Sequence, residues 1–149
     1  MVYDRSDNGR LGRQEYFMKV ATVVAERSTC ARAKVGAVLV DVEHNKIVAT
    51  GYNGSVRGGR HCIDTGCLMH RKHCIRTIHA ELNAVLHLER PYNVLTLYCT
   101  HQPCLACLKA LITARVRYIY YSIPYKDIAR DRFLKDLGNV VGFTHVNIQ

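Results

Sequence analysis

Two short clusters, His79-Ala80-Glu81 and Pro103-Cys104-Leu105-Ala106-Cys107, set the strongest condition on how this chain folds. A hydrolytic zinc site takes three protein ligands and keeps one position for water. One histidine and two cysteines supply that set only where the fold brings the clusters together. Cys104 and Cys107 lie one helical turn apart, so both sulfurs can converge on one ion. Each cluster sits at the start of an expected helix, where the dipole favours thiolate. Zinc makes its water a nucleophile near neutral pH. Glu81 lies close enough to His79 to reach that water without binding the metal, as a proton shuttle does.

The expected elements allow that convergence. Residues 10–28 carry Phe17, Val20, Ala21 and Val24 at helical spacing. Val35 to Asp41 and Ile47 to Tyr52 are β-branched and apolar around the polar turn Glu43-His44-Asn45-Lys46, which predicts a hairpin. Asn53 to Arg76, rich in Gly, His and Cys without a period, reads as a long functional loop. Thr77 to Glu89 predicts a helix ended by Pro91. Val94 to Cys99 predicts a strand, and Pro103 opens a helix from Cys104 to Arg115 with Cys104, Cys107, Leu108 and Leu111 on its apolar face. A strand over Val116 to Tyr121, a helix over Asp127 to Leu137 and a strand over Val140 to Val146 complete the order. This alternation predicts an α/β protein of three layers, its later strands parallel. With no repeat, low-complexity run or linker, residues 1–149 read as a single domain.

Composition narrows the setting. No stretch reaches the about 20 apolar residues of a membrane span, and Met1 to Arg13 lacks the apolar region of a signal peptide, so the expected compartment is the cytoplasm. Reducing conditions there disfavour disulfides, and the cysteines number an odd seven, so those near histidines read as metal ligands. Cys99, in a strand pattern, reads as a small core residue. The balance of 21 Lys+Arg against 12 Asp+Glu, net +9, suits a nucleic acid or the phosphates of a nucleotide. The basic residues are scattered, with no aromatic-interleaved stripe of the kind that binds single strands. Arg27, Arg57, Arg60, Arg71 and Arg76 surround the metal clusters in sequence and are candidates for phosphate, each also suited to a solvated surface.

H-x-E followed by P-C-x-x-C is the recurring signature of zinc nucleobase deaminases. The chain resembles the deoxycytidylate (dCMP) deaminases of phage and bacterial type, within the cytidine deaminase-like superfamily, from about Arg10 to about Val146. Four stretches carry the resemblance: Arg27-Ser28-Thr29-Cys30 through Lys34-Val35-Gly36-Ala37; Gly51-Tyr52-Asn53-Gly54-Ser55; His73-Cys74 through Glu81-Leu82-Asn83-Ala84; and Thr100 through Cys107. Gly-Tyr-Asn-Gly is the part most specific to the dCMP branch.

The resemblance implies a three-layer α/β/α fold with a five-stranded mixed sheet, His79, Cys104 and Cys107 as catalytic zinc ligands, and Glu81 as general acid/base. It implies Asn53 at the sugar, although Asn-Gly is also plain turn chemistry, and Tyr125 near the nucleotide. It implies a second, structural zinc on Cys30 and Cys62; Cys67 and Cys74 are the choice for the other ligands, with His70 or His73 able to replace either. It further implies dCMP as substrate and dUMP, for thymidylate synthesis, as product. Activation by dCTP, inhibition by dTTP, Mg2+ accompanying these effectors and a homohexamer belong to the same implication, as do the absence of nucleic-acid or membrane partners and, for a phage-encoded chain, the host cytoplasm.

Two other readings stand beside this one. A tRNA adenosine deaminase fits the basic balance, and the Gly-Tyr-Asn-Gly stretch and the cysteine-rich loop count against it. A zinc-stabilised binding module would need a fourth protein ligand, for which His101 is the residue near enough in sequence; it is expected instead to line the pocket or face solvent.

Overall fold

The computed structural model describes residues 9–148; the reading of the polar start falls partly outside them. Helix α1 (Arg13–Ala25) buries Phe17, Met18, Ala21 and Ala25 along one stripe. Strands β1 (Gly36–Asp41) and β2 (Lys46–Tyr52) form the expected antiparallel hairpin. The segment read as a loop contains β3 (Gly54–Ser55), the short helix α2 (Cys62–Thr65), β4 (Met69–His70) and β5 (His73–Cys74), followed by β6 (Thr77–Ile78). Helix α3 (Ala80–Leu86), β7 (Leu95–His101), α4 (Leu105–Thr113), β8 (Val116–Ile123), α5 (Ile128–Leu137) and β9 (Gly142–His145) follow.

Five strands form one sheet in the order β2-β1-β7-β8-β9. β1 pairs antiparallel with β2 and β7, while β7-β8 and β8-β9 are parallel. The mixed α/β architecture is the expected one. Every residue of β1 is buried, as a strand covered on both faces requires. On one face Phe17, Met18 and Ala21 of α1 pack with Val38, Val40 and Tyr98. On the other, Ala80 and Ala84 of α3 and Leu108 and Leu111 of α4 pack with Leu39, Leu97 and Ile119, joined by Phe133 and Leu134 of α5. Cys99 is fully buried in this second cluster, as expected. Among the described residues no helix is long and apolar enough to cross a membrane.

Several expected boundaries move, two of them at the ligand clusters. Thr77 and Ile78 do not open a helix; they pair with Ser55 and Gly54, in keeping with the strand preference of β-branched side chains. His79 stays extended at φ −67°, ψ 150° and becomes the N-cap of α3. Cys104, expected inside its helix, is likewise the N-cap of α4.

Two glycines let helices rest directly on strands. A Cβ at Gly36 would come under 3.0 Å from the Ala21 carbonyl oxygen and the Ala25 amide nitrogen of α1. One at Gly51 would come equally close to the Ala80 oxygen and Ala84 nitrogen of α3, the helix that carries Glu81. Gly51→Ala is therefore expected to cost about 3 kcal/mol or more, read as a lower urea midpoint. Gly142→Ala is the control, because its Cβ would meet nothing nearer than the Arg117 oxygen at 4.0 Å.

Candidate active site

The N-termini of α3 and α4 meet, and with them the two sequence clusters. His79 Nδ1 lies 3.6 Å from Cys104 Sγ and 3.4 Å from Cys107 Sγ, and all three ligand atoms are within 4.8 Å of one another. A tetrahedral zinc with its usual bond lengths to nitrogen and sulfur holds such atoms roughly 3.6 Å apart. The donor set and its spacing therefore fit zinc.

Electrostatics agree with that use. The hydrogen bond from the Cys107 thiol, helped by His79, holds Cys104 far below the usual thiol range, at about 4. Cys107 is pushed up in return, chiefly by that same hydrogen bond. The His79 imidazole is raised, chiefly by its hydrogen bond with Cys104. Glu81 is buried, 4% exposed, and loss of hydration pushes its carboxyl up to about 7. A carboxyl in that range can both take and give a proton near neutral pH.

His79, Glu81 and Cys104 line a cleft of about 380 Å³, walled also by Arg32, Asn53, His73, Thr77, His101 and Tyr125. That volume lies in the range of small-molecule sites. Asn53 is buried and heavily engaged: its Oδ1 accepts from Ser28 Oγ at 2.6 Å and from the Val35 N–H at 2.9 Å, and its Nδ2 donates to the Ala33 carbonyl at 2.8 Å. It thereby shapes the segment 28–35 that walls the cleft. Tyr125 stands at the rim, 45% exposed, with its N–H on Gln102 Oε1 at 3.2 Å. Burial lowers the His101 imidazole; it lines the cleft and stands outside the metal-ligand group.

None of the arginines singled out in the sequence lines this cleft. Arg32 does; its Nη1 donates to the Lys72 carbonyl at 3.3 Å, tying the segment before β1 to the turn between β4 and β5. Its position between Cys30 and Lys34, inside one of the four resembling stretches, was the available signal.

A second group gathers the sulfurs of Cys62, Cys67 and Cys74 within 4.8 Å, with Cys62 and Cys74 3.7 Å apart. Burial, then the neighbouring Cys74, raises Cys62 to about 11. Burial also acts to raise Cys74, but the N–H groups of Arg76 and Leu68 and the neighbouring thiols outweigh it and hold Cys74 at about 7. Cys30, expected with this group, stands outside it: its Sγ takes the Arg32 N–H at 3.4 Å and it lines the cleft. His70 and His73 are also outside the group.

Comparison with known proteins agrees with this geometry. The model of the family described as the cytidine and deoxycytidylate deaminase zinc-binding region matches residues 11–123. ComE operon protein 2 of Bacillus subtilis (strain 168) is 45% identical over 120 residues, covering 78% of this chain and 62% of that protein. The deoxycytidylate deaminase of Saccharomyces cerevisiae is 36% identical over 135 residues, covering 85% of this chain and 43% of that protein. The chain thus spans less than two thirds of the length of either relative. The crystal structure of dCMP deaminase from the cyanophage S-TIM5 in complex with dCMP and dUMP superposes with a TM-score of 0.73 at 31% identity, covering 88% of this chain and 96% of that one. The chain has the cytidine deaminase-like fold, and it belongs to the cytidine and deoxycytidylate deaminase zinc-binding family.

Proposed function

We propose that the chain hydrolyses dCMP to dUMP and ammonia. The observation that carries this reading is the buried Glu81 carboxyl beside the His79–Cys104–Cys107 donor set on the wall of a nucleotide-sized cleft. The cyanophage relative crystallised with dCMP and dUMP supports the choice of base and phosphate state. His79, Cys104 and Cys107 would hold the zinc, which would supply a water acidified to a pKa of about 7 and so nucleophilic at neutral pH. Glu81 takes a proton from the water that attacks C4 of the cytosine and passes it to N3. A second proton, from the hydroxyl now on C4, travels through Glu81 to the amine, which leaves as ammonia. Asn53 uses one N–H on Ala33, and its second N–H suits a sugar hydroxyl. Tyr125 at the rim suits the outer part of the nucleotide, and Arg32 its phosphate.

The test is turnover of dCMP, deoxycytidine and CMP, followed by loss of cytosine absorbance, with and without dCTP and Mg2+. dCMP is expected to be the best substrate. Stimulation by dCTP, with dTTP opposing it, supports the effector reading and the accompanying homohexamer; indifference removes the effector reading alone. Zinc-loaded protein inactive on all three substrates removes the dCMP reading and directs attention to a tRNA anticodon stem-loop.

The second zinc is part of the same proposal, with Cys62, Cys67 and Cys74 as ligands. The cytoplasm, where thiols stay reduced, suits such a site. Protein purified without chelator is expected to carry about two zinc ions per chain, and Cys67→Ser about one while keeping turnover. A wild-type value near one removes the second zinc.

A further inference from the structure

We propose that Asp127 and Arg130 are positioning residues that hold the Cys104 turn in the geometry its metal needs; the inference rests on the zinc reading of His79, Cys104 and Cys107. It begins with an absent cap. An N-cap side chain normally accepts a hydrogen bond from the first amides of its own helix. Cys104 is the N-cap of α4 and makes no such bond, because its sulfur belongs to the ligand group.

The α4 terminus is satisfied instead from α5. Leu105 donates its N–H to Asp127 Oδ2 at 2.9 Å. The other oxygen of that carboxylate accepts the Arg130 N–H at 2.9 Å and caps α5. One carboxylate therefore caps two helices. These bonds also hold the Asp127 carboxyl below its usual value, so it stays an acceptor at neutral pH.

Arg130 closes the other side. It is 2% exposed, and its Nη1 donates to the Pro103 carbonyl at 3.0 Å. Its Nε and Nη2 donate to Asp131 Oδ1 at 3.0 and 2.8 Å. A buried guanidinium is costly unless paired and hydrogen-bonded, and the backbone group it serves is the carbonyl directly before the ligand. Both peptide units of Cys104 are thus gripped, the one before it through Pro103 and the one after it through Leu105. That fixes Cys104 at φ −74°, ψ 170°. The seam continues through the Gln102 N–H on the Ile123 carbonyl at 2.9 Å and the Tyr125 N–H on Gln102 Oε1 at 3.2 Å.

A role confined to folding would lower the melting temperature without altering the metal's surroundings, so the readout is the metal itself. The full chain is loaded with cobalt(II), and the thiolate charge-transfer and visible bands lost in Cys104→Ser are assigned to this site. Release to excess EDTA is then timed. Asp127→Ala and Arg130→Met are expected to release that cobalt about 10- to 100-fold faster than wild type, in line with other outer-shell substitutions, with shifted visible bands. Asp127→Asn, which keeps one accepting oxygen, is expected to fall between. If Asp127→Ala does not fold, the comparison is read from Asp127→Asn and Arg130→Lys. Wild-type bands and release rates in the folded variants overturn the positioning role and leave the zinc reading standing. Cobalt–thiolate bands that are absent from wild type, or that persist unchanged in Cys104→Ser, overturn the zinc reading, and the positioning role with it.

Discussion

Glu81→Gln is expected to lower kcat for dCMP by about 10³-fold or more, with zinc content and melting temperature close to wild type. The substitution keeps shape and a hydrogen-bonding oxygen but cannot carry a proton. The effect is large because the reaction asks this one side chain to move protons to two atoms in sequence. Glu81 is suited to it: burial lifts the carboxyl to about 7, so neither protonation state is strongly disfavoured at neutral pH. Initial rates and metal analysis on the same preparation test the claim. Activity within about tenfold of wild type would mean that another group carries the protons.

His79→Ala is expected to remove both metal and turnover, and Cys104→Ser to do nearly the same. A catalytic zinc has three protein ligands, and losing one leaves two donors and an ion open to water. Zinc should fall by about one ion per chain relative to wild type, and deamination should drop below detection. Cys99→Ala is the control: it removes a buried thiol of β7 that belongs to no ligand group and should leave the metal in place. A His79→Ala protein that retains its full zinc would place the metal elsewhere.

Sequence patterns reached the Cys104–Cys107 pair and the first hairpin because each rests on local spacing. Cys104 and Cys107 show their convergence in a three-residue interval, and the β1–β2 hairpin announces itself by two apolar runs around a polar turn. The segment from Asn53 to Arg76 hid its order because its strands are two residues long and defined by partners rather than periodicity. Gly54–Ser55 needs Thr77–Ile78 to be a strand at all. The same pairing cuts the start from α3. The roles of Asp127 and Arg130 are not legible in the sequence, since their bonds to Leu105 and Pro103 cross between helices and leave no mark in spacing. Arg32 lines the cleft while Arg27, Arg57, Arg60, Arg71 and Arg76 do not, because nearness in sequence to the clusters is a poor measure of nearness to a cleft.

The seat of α3 on β2 has a consequence for heating. At Gly51 main chain rests on main chain, and such a contact has no rotamers to populate as temperature rises. The placement of Glu81 therefore does not loosen by degrees through side-chain disorder beneath its helix. It holds until α3 lifts from the sheet, and the loss of activity on heating follows the loss of the fold.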